Sequence, residues 1–181
     1  LGDLQIESGD AARGETAGLG EAETREAIDI YTRLLEQEPR YARADVVLYQ
    51  LARGWESLGD TEKALGYLDR LVAEYPSSPR IDEAQFRRGE ILFSAKRYAE
   101  AQRSYEVASA FGTASEFHEQ SLYKLGWSLF KQSENEASFE PFLSVLDLKL
   151  LVPGRPGEVA DPAGLGRADR ELVQDTFRVL A

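Results

Sequence analysis

The chain has no cysteine, no methionine and a single histidine, His118. Missing cysteine removes disulfides, thiolate zinc sites and thiol nucleophiles together, and it leaves the redox compartment open. One histidine without cysteine cannot anchor an ordinary transition-metal site. His118, early in a helix beside Glu116 and Glu119, reads as a solvated surface residue. No apolar run approaches the roughly 20 residues that span a bilayer, so no membrane insertion by this segment is expected. A glycine-rich phosphate loop is missing as well. Gly154-Arg155-Pro156-Gly157 lacks the lysine and following hydroxyl residue that such a loop needs. Glu21 with Glu23 and Glu134 with Glu136 are paired by sequence only, because a spacing of two on a helix points side chains to different sides. No catalytic residue and no cofactor is therefore expected. Positive charge is in deficit: 21 basic against 32 acidic side chains leave a net charge of −11, which repels phosphate backbones and argues against nucleic acid as a partner. The chain begins at Leu1, and we expect a processed or excised piece of a longer protein.

What is present is a spacing of 37 residues. Ala27, Ala64 and Ala101 recur at that interval, as do Ala52, Gly89 and Gly126, and Pro39 and Pro76. Two bulky rows keep the same step: Trp55, Leu92 and Leu129, and Leu68, Tyr105 and Phe142. A fixed period of this size implies stacked copies of one small unit rather than a globular fold around a single site. Two helices of a hairpin approach closely only where a small side chain faces a large one. The row 52/89/126 supplies the small positions and the bulky rows fill them.

The period divides the chain. Residues 1–26 hold five glycines and seven acidic residues without a sustained apolar face, and are expected to form a flexible lead-in. The array is expected over 27–149. Its first helix carries Ala27, Ile30, Tyr31, Leu34 and Leu35 on one stripe and ends at Pro39. Further helices are expected over about 43–58, 61–74 with Asp60 as N-cap, 78–95 opened by Ser78-Pro79, 98–110, 114–132 with Thr113 and Glu116 as a capping box, and 135–149. Residues 150–167 form a Gly/Pro-rich loop, too broken for a repeat turn, and read as a disordered insertion or a docking loop. Residues 168–181 begin a further helix.

Repeat two places Leu48, Leu51, Ala52, Trp55, Ala64, Leu68 and Pro76 in an order that resembles the tetratricopeptide repeat, or TPR. Repeat three follows with Gly89, Leu92, Ala101 and Tyr105, and repeat four with Leu122, Leu125, Gly126, Leu129 and Phe142. The usual 34-residue period is exceeded by three residues falling between pairs. The resemblance implies an all-α, right-handed solenoid of antiparallel helix hairpins, about three and a half repeats long. The stretch Tyr75 to Ala101 looks most like TPR proteins of the bacterial cell envelope, such as the outer-membrane assembly lipoprotein and the Tol-Pal-associated type, which implies a periplasmic or envelope setting.

In that family the first helix of each pair lines the concave groove. The resemblance therefore implies partner-binding positions at Tyr49, Arg53, Phe86, Arg87, Glu90, Tyr123, Lys124, Trp127 and Phe130, and a protein or peptide as ligand. For Tyr49, Phe86 and Tyr123 the alternative is packing within the hairpin. Arg53, Arg87 and Lys124 suggest attraction for an acidic segment. The asparagine-rich carboxylate clamp of some members has no counterpart here. The function implied is a non-catalytic interaction scaffold. The alternatives are a helical accessory domain of a larger enzyme and a self-association module, and the sequence leaves the oligomeric state open.

Overall fold

The computed structural model describes the backbone of residues 3–152 and 158–180, and side chains from residue 20 onward within those spans. Among the described residues it is all-α. The helices are α1 (Asp3–Gln37), α2 (Ala44–Ser57), α3 (Thr61–Glu74), α4 (Ile81–Ser94), α5 (Tyr98–Ser109), α6 (His118–Lys131), α7 (Asn135–Leu150) and α8 (Arg167–Leu180), with short 3-10 turns at Gly112–Ala114 and Pro162–Gly164. The chain divides into two compact units, Leu1–Ser78 and Pro79–Ala181.

In the first unit, Ile28, Val47 and Leu51 form a core against which Tyr31, Leu34, Leu35, Trp55, Leu58 and Tyr67 pack. α1 and α2 come close at Gly54, where a methyl group would stand 2.9 Å from Cγ1 of Ile28. The buried stripe of α1 therefore runs through Ile28 rather than through the expected Ala27 and Ile30. Ile30 is 54% exposed, and Ala27 is exposed too. Ala64 and Ala101 are fully buried, and each stands in a helix that has the first helix of its own hairpin before it. Upstream of Ala27 the chain continues the same helix instead of turning back, so Ala27 gains no such partner. For the same reason residues 20–26 are not the flexible lead-in expected from their composition. They are helical, with Arg25 paired to Glu21 and the Thr24 hydroxyl donating to the Gly20 carbonyl. Residues 1–2 and the side chains of 1–19 lie outside the described residues.

In the second unit, α4 with α5 and α6 with α7 form two hairpins, and the 37-residue register becomes physical contact. A methyl group at Gly89 would stand 2.5 Å from Cε1 of Tyr105, and one at Gly126 would stand 2.7 Å from Cε1 of Phe142. Both rings are fully buried. Full burial of such a side chain stabilises by about 1.5–3 kcal/mol, and glycine is what lets the neighbouring backbone come near enough to supply it. Ala52 and Leu68 are the equivalent, smaller pair in the first unit.

The turns inside the hairpins follow the same interval. Gly59, Lys96 and Ser133 all have positive φ, at 79°, 61° and 66°. The next residue in each case donates to a carbonyl five positions back: Asp60 to Trp55, Arg97 to Leu92 and Glu134 to Leu129. This is the helix-ending motif that favours glycine, used here twice without it. Asp60 caps α3 as expected, accepting from the Lys63 N–H at 3.0 Å, and the Lys63 side chain with this bond holds the Asp60 carboxyl below its ordinary pKa.

The turns between hairpins correct two expectations. Ser78 does not cap α4, which starts at Ile81 with no side-chain cap; its hydroxyl donates to Asp45 at 2.6 Å. Thr113 and Glu116 do not open α6. Ser115 occupies the turn, accepting from the Phe117 N–H and donating to Asp82 at 2.6 Å. Ser78 with Asp45 and Ser115 with Asp82 are the same bond, one period apart. Val152 and Glu119 fall next in that register, and a hydroxyl is no longer available. Lys149 takes over, reaching Glu119 at 2.6 Å and Asp169 of α8 at 2.7 Å.

α8 packs on α7 through Val173, which joins Leu146 and Leu150 with Leu165 and Leu180 at the edge. The segment before it is closed at its base by an antiparallel bridge between Leu151 and Val159. Residues 153–157, where the Gly/Pro-rich loop was expected to be disordered or to dock, lie outside the described residues.

Candidate functional site

Four of the nine expected groove residues come together. Phe86 and Glu90 on α4 and Tyr123 and Lys124 on α6 line a hollow of about 350 Å³, with Glu119 and Gln120 of α6 and Ala168, Asp169 and Leu172 of α8. Its walls are therefore first helices of successive hairpins plus α8. Leu172, Ala168, Phe86 and Tyr123 supply apolar surface, and carboxylates and one lysine form the rim.

Glu90 is the tie among three helices. It accepts from the Tyr105 hydroxyl at 2.5 Å and pairs with Lys124 at 3.0 Å. Burial pushes the Tyr105 phenol far above its ordinary pKa, and the bond to Glu90 and its charge push the same way, so Tyr105 stays a neutral donor. The Lys124 ammonium lies 5.2 Å from the Phe93 ring centroid. Phe86 stacks on Phe117, with centroids 5.3 Å apart, and leans on Tyr105.

The other expected residues are placed differently. Tyr49 is 2% exposed, so it is a packing residue and not a ligand contact. Arg53 stays exposed but lines a separate hollow of about 360 Å³ in the first unit, with Gln50, Tyr31, Ile28 and Gly54. Arg87 is bonded along its own helix to Glu83 at 3.2 Å. Trp127 is half-buried, edge-on to Tyr123, Phe130 and Phe142. Phe130, 37% exposed, sits at the margin of that cluster. The expected pull on an acidic segment is weakened in the second unit, because Arg87 and Lys124 already hold carboxylates.

His118 is not a bare surface residue. Its ring is half-buried with Nδ1 2.8 Å from the Ser109 carbonyl oxygen, and because a carbonyl can only accept, Nδ1 carries the proton there. Among the described residues no group of three or more His, Cys, Asp or Glu is arranged to hold a metal ion. No described helix is long and apolar enough to cross a membrane.

Sequence reasoning missed the α8 wall and Lys149. Burial works to lower the Lys149 pKa, but hydrogen bonds to Asp169 and Glu119 and their charges outweigh it and leave the ammonium above the usual lysine value. The signal was present: Asp45, Asp82 and Glu119 repeat in phase, and the loss of the serine at Val152 marks where another donor is needed.

Residues 19–79 and 49–115 match the family model described as tetratricopeptide repeat, and together they reach across more than half of the chain. No curated protein sequence matches it. Among solved structures, the TPR-like repeats of a kinesin light chain-like protein from Podosopora anserina share 15% identity over 94% of both chains, with a TM-score of 0.58. BtubC from P. vanneervenii shares 15% over 90% of this chain and 68% of its own, at 0.64. MamA from Desulfovibrio magneticus RS-1 shares 22% over 87% of this chain and 93% of its own, at 0.51. At such identities the likeness shows the fold alone, an all-α TPR-like solenoid. That fold is consistent with a protein–protein interaction scaffold. With its 37-residue register realised as small-to-large contacts, and with the family model matched across α1 and the α2–α3 and α4–α5 hairpins, the chain belongs to the tetratricopeptide repeat family.

Proposed function

We propose that this chain is a non-catalytic scaffold that binds a protein or peptide segment in the hollow formed by α4, α6 and α8. The observation that carries this reading is the convergence of Phe86, Glu90, Tyr123 and Lys124 with Leu172 around about 350 Å³ of apolar-floored space. Rigid aromatic rings supply contact area at low entropy cost, and a mixed-charge rim sets register. Recognition uses preformed helices, so no chemistry of the chain's own is invoked. Arg53 and the hollow in the first unit are a separate candidate contact. We further propose a bacterial envelope setting, supported by the likeness of the Tyr75 to Ala101 stretch; fractionation of native cells tests it, and a purely cytoplasmic protein refutes it.

Gln120 is exposed and lines the hollow, so a photo-crosslinking amino acid there should capture a partner in native cells. The same group at Glu62, on the exposed side of α3, should not. An identical catch at both positions would sink the groove reading.

A further inference from the structure

Away from that hollow, the second unit carries a trough of about 360 Å³ between α5 and α7, floored by α6. Leu122, Leu125 and Leu129 form the floor, and Glu106, Glu134 and Glu140 form the rim. All three carboxylate residues are exposed, and no lysine, arginine or histidine lines the trough. Glu106 accepts from the neutral Gln102 amide at 2.8 Å. In the first-helix hollow, by contrast, Lys124 and Lys149 already neutralise the carboxylates.

The register explains why the trough exists. Ile28, Leu65 and Gln102 stand 37 residues apart. Ile28 and Leu65 are each 7% exposed, and Ile28 packs on Val47 and Leu51, leaving Leu51 fully covered. Leu125 is the equivalent of Leu51 two periods on, and Leu122 that of Leu48. Both leucines are half-exposed where their earlier counterparts are fully buried. The covering position is now Gln102, whose amide turns aside to Glu106 and to Gln132. An aliphatic side chain that the fold supplies at Ile28 is not supplied here. Pro141, in the trough wall, adds an acceptor: lacking an N–H, it gives no helical bond to the Ala137 carbonyl, which lies in the same wall.

We propose that this trough is a second docking surface for a cationic amphipathic segment of another protein, one that places a leucine- or isoleucine-type side chain over Leu122 and Leu125 and lysine or arginine against the three carboxylates. Charge complementarity selects that occupant. A second copy of this chain brings a net charge of −11 to an acidic rim, and nucleic acid or an acidic peptide meets the same repulsion.

The test uses the full chain with methyl-labelled leucine, isoleucine and valine, titrated with a short amphipathic peptide of leucine and lysine. Methyl shifts should concentrate at Leu122, Leu125 and Leu129, and the glutamate-for-lysine peptide should produce none. Glu134→Gln with Glu140→Gln, two exposed changes, should weaken binding by roughly fivefold. Gln102→Ile should restore the covering side chain and abolish the shifts. Four outcomes would overturn the proposal: methyl shifts at Leu172 in the first-helix hollow instead, an equal response to the glutamate peptide, binding untouched by the double charge change, or trough shifts that appear on concentrating the protein alone, which would mean a second copy.

Discussion

Replacing Gly89 with alanine should destabilise this protein although alanine is the better helix former. In an exposed helix interior the exchange gains about 1 kcal/mol. At Gly89 the new methyl would stand 2.5, 2.8 and 2.8 Å from Cε1, Cδ1 and Cζ of Tyr105, against a comfortable carbon separation of about 3.5–4.0 Å. The ring has nowhere to retreat, since it is fully buried and its hydroxyl is held by Glu90 at 2.5 Å. Overpacking of this kind costs about 1–3 kcal/mol, and three close ring atoms put it at the upper end. The net loss should be about 1–2 kcal/mol, or about 3–6 °C in Tm for a chain of this size. Gly66→Ala in α3, where a methyl meets nothing within 4 Å, is the control and should gain about 1 kcal/mol. Gly89→Ala with Tyr105→Leu recreates the Ala52 and Leu68 pair and should recover at least about 1 kcal/mol relative to the sum of the single changes. Urea unfolding followed by helical circular dichroism, with Trp127 fluorescence in a Trp55→Phe background reporting the second unit, reads all five proteins, the parent and Tyr105→Leu alone included. If Gly89→Ala stabilises as Gly66→Ala does, the small-to-large register is wrong.

The remaining predictions concern the turns, the core and the α8 anchor. Lys96→Gly and Ser133→Gly each relieve a left-handed residue at a helix end and should raise stability by about 0.5–1 kcal/mol in the same denaturation assay; a loss at both would mean that those turns are not limiting. Ser121 is fully buried with an unpartnered hydroxyl, and Ala84 holds the equivalent place one period earlier, so Ser121→Ala should stabilise by about 1 kcal/mol. Lys149→Met should speed hydrogen exchange across α8 by about tenfold while leaving α4 and α5 protected, because it strands Glu119 and Asp169 together. The Lys149 pKa is raised on folding, so its contribution is complete below the ordinary value of 10.5 and is lost only as pH rises through the higher folded value. Helical signal should therefore hold from pH 7 to about 10, and a loss of α8 within that window would contradict the anchor.

Much of this was legible in one dimension because repetition converts sequence interval into spatial neighbourhood. Gly89 and Gly126 stand out by phase as close-approach positions, although the structure is what chooses Tyr105 and Phe142 as their partners between the two bulky rows, and Thr61–Glu74 follows from Asp60, the apolar stripe and Tyr75-Pro76. Composition misled at residues 20–26, where glycine and acidic residues read as a loose lead-in and the backbone is helical. Local signals misled at Ser78 and Thr113. A serine before a proline is a good cap by itself, yet the Ser78 hydroxyl is taken by Asp45, 33 positions away, and cap preference is worth too little to decide between the two.

The sequence by itself determined the family, the hairpin pairs and most of the core positions, with Ala27, Ile30, Leu122 and Leu125 as the exceptions, since these depend on periodic side-chain size within short stretches of chain. Only the tertiary structure decided which exposed-looking residues are free. Tyr49 and Tyr123 occupy the same phase; one is buried and the other lines the hollow. Arg87 and Lys124 read alike as cations until Glu83 and Glu90 are seen to hold them. Charge pairing, the wall supplied by α8 and the leucines left uncovered beside Gln102 depend on residues distant in the chain, and a period fixes where a position stands but not what its neighbours leave open.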